Sequence, residues 1–158
     1  MPMFPGDLPR QDHPLPKGLD DAAAAKLLRA AQADSRLLVR VTVEVLLRTG
    51  LRVSEYTELR ADAVVQIGAG PWLHVPVGRL REDRYLPLHP QLVTLIDDYR
   101  TRFVRWDHPL LLPRENGRPL DRHTVTRLLN RAGAAAGLAH LHPHQLGTPW
   151  RPRRSTEA

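Results

Sequence analysis

From Asp21 to Ala31 the chain reads DAAAAKLLRAA, in which small and apolar residues recur at helical spacing around Lys26 and Arg29. This predicts a helix capped by Asp20 or Asp21. SRLLVRVTVEVLLRTG, from Ser35 to Gly50, fills most of a wide helical face with apolar residues before glycine ends it, so this second helix should be largely buried. In LRVSEYTELR, Ser54 and the spacing of Leu51, Val53 and Leu59 predict a further short helix. The pattern then changes period. DAVVQIG, PWLHVPVG and DRYLPLHP are short β-branched or alternating runs separated by GAG and by the charged GRLRED, which fits three antiparallel strands. Helical spacing returns in HPQLVTLIDDYRTRFVRW and in LDRHTVTRLLNRAGAAAGL, the latter with Asp121 as its cap and Gly137 as its stop. The expected fold is mainly α with a small three-stranded antiparallel β-sheet, an α+β domain. No internal repeat is present.

The two ends depart from this pattern. Residues 1–18 hold five Pro and few large apolar side chains, as expected of an extended arm or linker. Residues 147–158 carry three Arg and two Pro without periodicity. The length of 158 residues suits one domain, here expected over residues 19–146.

Composition adds a partner class. Lys and Arg number 23 against 17 Asp and Glu, a net charge of +6, which favours a polyanion such as DNA. The absence of Cys excludes disulfides and thiolate metal sites. With no apolar run of membrane-spanning length and no secretory pattern at its start, the chain is expected to be cytoplasmic, with no membrane partner.

Within TGLRVSEYTELR, Arg52 follows a Gly turn and Glu55 lies one helical turn later, so spacing alone reads as a surface ion pair. Other segments alter that reading. Taken together and in order, TGLRVSEYTELRADAV, VGRLREDRYLPLHPQ and HPHQL resemble the catalytic domain of tyrosine recombinases, the phage integrase family, over about Asp20 to Leu146. The resemblance implies site-specific DNA recombination and integration, as in mobile elements, through a 3′-phosphotyrosine intermediate and without metal or cofactor. The chemistry needs cationic groups because negative charge spreads over the phosphoryl oxygens in the transition state, and planar guanidiniums hold those oxygens bidentately.

On this resemblance Arg52 matches the first phosphate-clamping Arg, and Glu55 matches an acidic residue that orients the site. Arg79 is the nearest match to a hairpin Lys that protonates the leaving oxygen. With a pKa above about 12, an Arg donates protons poorly but still contacts phosphate. Arg52, Arg79, Arg81 and Arg84 are the expected DNA contacts. His144 matches the His of an H-x-x-R motif, yet Gly147 stands at the second clamping Arg. The tyrosines, Tyr56, Tyr85 and Tyr99, all lie upstream of that motif, on elements the family does not use for attack. The implied partners are DNA and, through self-association, a second copy or an intact recombinase.

The tail is consistent with a one-base shift. Adding one C before the codons of Gly147 onward and regrouping them permits Arg-His-Thr-Leu-Ala-Thr and then Gln-Ala-Ile-Asn-Arg-Gly, a helical continuation of the motif. Residues 147–158 are therefore expected to be disordered, and the chain to be an inactive, truncated DNA-binding remnant of a recombinase. Two other readings remain: a free-standing DNA-binding or regulatory module that does not cut, and a metal-dependent hydrolase using His140, His142 and His144. Trp72 and Trp106 sit in apolar patterns and are expected in the core.

Overall fold

The computed structural model describes residues 19–76 and 83–138. The proline-rich start, the tail from Gly147 including Trp150, Arg79, Arg81 and the histidines at 140, 142 and 144 lie outside the described residues. Among the described residues five helices and three strands follow in the order α1 (Asp21–Ala33), α2 (Leu37–Thr49), α3 (Val53–Thr57), β1 (Val64–Ile67), β2 (Gly70–Val75), β3 (Arg84–Pro87), α4 (Pro90–Phe103) and α5 (Arg122–Ala135). The mainly α chain with a small three-stranded sheet is thus the fold observed.

Local chemistry explains most boundaries. Asp20 is the cap of α1, its carboxylate accepting from the Ala23 N–H at 2.7 Å. Asp121 does the same for α5 through the Thr124 N–H at 2.7 Å, and Gly137, at φ 76°, turns the chain after it. Gly50 adopts φ 73° and returns its N–H to the Leu46 carbonyl, a left-handed stop that a Cβ would strain.

Helix α2 is the centre of the core. Every residue from Val41 to Leu47 is buried, and the helix packs against α1, α4 and α5. Among those buried residues is Glu44, held between Arg40 at 2.9 Å and Arg48 at 3.2 Å along the same helix. Leu27 of α1, Ile96 and Tyr99 of α4 and Leu129 of α5 complete the apolar interior.

The sheet runs β1-β2-β3, antiparallel throughout, with Val64 opposite Leu73 and Leu73 opposite Leu86. Leu73 and Val75 are buried, whereas Tyr85 is exposed and stacks on His74 with ring centroids 4.9 Å apart. The pleat therefore gives the sheet a core face and an outer face.

One expectation fails. Trp106 is 89% exposed instead of buried. The inward stripe of α4 is Leu92, Leu95, Ile96 and Tyr99, and Val104 leaves the helix in extended conformation at φ −113°, ψ 131°. Trp106 thus falls in the following turn and swings away from the stripe that its spacing would have continued. Trp72, expected in the core, is half-buried on β2.

Residues 104–120, between α4 and α5, are tied down by side chains from α4. The Arg100 guanidinium donates to the Leu110 and Leu111 carbonyls at 2.9 and 2.7 Å, beside the backbone bridge from Arg60 to Leu110. Arg100→Met keeps the aliphatic stem and removes both donors, so it should cost about 2 kcal/mol of stability. Urea unfolding measures this, and an unchanged midpoint would show that water replaces the guanidinium without loss.

Candidate functional site

The site grows from the turn between α2 and α3. Gly50 reverses the chain, Leu51 is fully buried, and Arg52 follows in extended conformation at φ −72°, ψ 153° as the residue that opens α3. Val53 and Tyr56 anchor that short helix in the core, leaving Arg52 at the surface. A guanidinium is in this way presented outward from backbone that is fixed underneath.

Glu55 lies beside it, but not as its ion-pair partner. The Glu55 Oε1 accepts the backbone N–H of Arg52 at 2.9 Å and the Nη2 of Arg84 at 3.0 Å. The surface ion pair suggested by spacing is replaced by a backbone cap and a bridge to another element. Among the described residues no carboxylate stands within ion-pair distance of the Arg52 guanidinium.

Arg84 is the first residue of β3, immediately beyond the 77–82 segment that contains Arg79 and Arg81. Its Nε is buried without a hydrogen-bond partner. The structure thus brings together Arg52, Glu55 and Arg84 from the expected set; Arg79, Arg81 and His144 lie outside the described residues. The Arg84 bridge spans 29 residues of sequence, and no local signal reveals it.

The tyrosines are held in structural roles. The Tyr56 hydroxyl shares a 2.9 Å hydrogen bond with Thr42, and full burial raises its pKa. The Tyr99 hydroxyl donates to the Pro113 carbonyl at 2.7 Å, and burial raises its pKa as well. Both phenols are shut off from solvent in this fold. Tyr85, on the outer face of the sheet, packs on His74, whose ring nitrogen lies 2.9 Å from Asp83.

Three further Arg stand outside the expected set of DNA contacts. Arg118, Arg122 and Arg127 are exposed, and among the described residues none of them has a carboxylate partner. The available signal was composition: RHTVTRLLNRAGAA, the whole of α5, contains three Arg and no acidic residue. Among the described residues no cluster of His, Asp and Glu is arranged to hold a metal ion, and no helix is long and apolar enough to cross a membrane.

An unpaired guanidinium on a rigid turn, with a second one behind its neighbouring carboxylate, is suited to binding an oxyanion such as phosphate. Comparison with known proteins gives the same direction. The phage integrase family matches residues 17–149. A tyrosine recombinase XerA of Pyrococcus furiosus is 34% identical over 141 residues, covering 87% of this chain and 48% of the relative. A tyrosine recombinase of Thermosipho africanus is 28% identical over 140 residues, covering 87% and 47%. The chain therefore spans about half the length of the curated relatives it matches. Among solved structures, XerA recombinase aligns with TM-score 0.66 at 25% identity, covering 82% of this chain and 47% of that one. XerH site-specific recombinase bound to its difH substrate aligns with TM-score 0.70 at 18% identity, covering 84% and 41%, a likeness of fold.

Proposed function

Because this chain belongs to the phage integrase family, we propose that the Arg52 turn and the basic hairpin between β2 and β3 hold a DNA backbone phosphate, as part of a site-specific tyrosine recombinase fold. The observation that carries the reading is the exposed Arg52 guanidinium, on backbone between buried Leu51 and Val53 and left without a carboxylate among the described residues. Glu55 orients the turn by capping the Arg52 backbone. By the family resemblance, Arg79 and Arg81, in the sequence between β2 and β3, would add positive charge for the same backbone, and His144 would supply the motif's imidazole.

We read these 158 residues as a DNA-binding remnant that does not cut. Gly147 stands where the second clamping Arg would be, and the phenols of Tyr56 and Tyr99 are committed to the core. A lone guanidinium binds phosphate but cannot by itself share the charge of a phosphoryl transition state. Contacts of this kind go to the backbone, so binding should be weak and insensitive to sequence. A second copy on the same duplex is the expected form of self-association.

Fluorescence anisotropy with a labelled duplex tests the phosphate contact. Arg52→Ala should weaken binding and lower the slope of log affinity against log salt by about one. If affinity and slope stay where they are, Arg52 does not touch the backbone.

A further inference from the structure

We propose that Arg84 is a positioning residue, which occupies the Glu55 carboxylate so that the Arg52 guanidinium remains available to a DNA phosphate; the idea rests on the phosphate reading of Arg52. The spacing of Arg52 and Glu55 is one at which opposite charges pair along a helix. In the fold they do not pair side chain to side chain. Oε1 of Glu55 accepts from the Arg52 backbone at 2.9 Å and from Arg84 Nη2 at 3.0 Å, so its strongest charged partner comes from β3.

The geometry of Arg84 turns part of its guanidinium toward the protein. Bidentate recognition needs two parallel N–H groups facing the ligand. In Arg84 the Nε is buried and Nη2 bonds Glu55, which leaves the Nη1 side of the group for any ligand. Beside the expected role as a direct DNA contact, this geometry supports an indirect one, and the two are separable by experiment. Without Arg84, the carboxylate of Glu55 would be uncompensated one turn from Arg52. It would draw the Arg52 guanidinium inward and repel an approaching phosphate, and both effects weaken binding.

The two roles make opposite predictions for a double variant. The complete 158-residue chain and its variants are titrated against a short fluorescein-labelled duplex, and thermal melting confirms that each variant is folded. Arg84→Ala should weaken binding about tenfold, the size of one lost charged contact. Adding Glu55→Gln should restore affinity to within about threefold of the parent, because no carboxylate remains to capture Arg52. If Arg84→Ala fails to fold, Arg84→Gln carries the same expectation, alone and with Glu55→Gln.

Rescue by the double variant supports the proposal. A double variant as weak as the single one overturns it, since Arg84 would then be contacting DNA directly. An Arg84 variant that binds like the parent overturns it too. Arg52→Ala in parallel separates the two levels: if that change has no effect, the phosphate reading itself fails, whereas a weakened Arg52→Ala with no rescue removes only the role of Arg84.

Discussion

Incubated with a nicked DNA duplex that traps phosphotyrosine intermediates, these 158 residues should yield no protein–DNA adduct that survives denaturant. Tyr56 is fully buried and bonded to Thr42, with its phenol held neutral by burial. Tyr99 is likewise committed to the Pro113 carbonyl. Tyr85 is exposed but lies against His74 on the sheet, an element that the family does not use for attack. On the resemblance that puts Gly147 at the second clamping Arg, that change alone should slow phosphoryl transfer by about 10² to 10³, by analogy with the removal of an oxyanion donor. If none of the three phenols attacks, the covalent route is closed in these residues. An adduct lost on Tyr56→Phe or Tyr85→Phe would overturn the remnant reading and reassign that tyrosine to catalysis.

The largest effect on stability is expected at Tyr99. Its side chain is completely buried, it packs on Phe103 with ring centroids 5.2 Å apart, and its hydroxyl satisfies the Pro113 carbonyl at 2.7 Å. Tyr99→Ala opens a cavity between α4 and the segment that follows it and leaves that carbonyl bare, for a loss of about 3–5 kcal/mol. Tyr99→Phe keeps the volume and should cost only about 1–2 kcal/mol, for the carbonyl alone. Denaturant unfolding of both variants separates the ring from the hydroxyl. Equal losses would mean that packing contributes little there, contrary to the burial seen.

The residues that could be read from sequence are those whose partners are near in sequence. Asp20 and Asp121 cap the next turn, Gly50 and Gly137 end the preceding one, and the buried face of α2 follows from its own spacing. Arg52, Glu55 and Arg84 were picked out through family resemblance, yet their wiring was not visible. Glu55 has two cations within reach, and which one it takes depends on how β3 approaches α3. The same limit hides the bidentate pairing of Arg36 with Glu115, at 2.7 and 2.9 Å across 79 residues, which holds the Glu115 carboxyl below its usual pKa. Trp106 was misplaced for a related reason: its spacing continues the apolar stripe of α4, but the helix has already ended at Phe103.

The central position of α2 also governs the order in which the domain can be assembled. Its partners lie on both sides of it in sequence, with α5 beginning about 70 residues after α2 ends. During synthesis, α1 and α2 can pair early, but the surface that α5 covers stays open to water until α5 has been made. Folding must therefore close a long loop before the α2 surface is covered, a non-local step that opposes the speed usual for mostly helical chains. In the interval the uncovered apolar face of α2 is the region of the nascent chain most exposed to aggregation and to capture by chaperones.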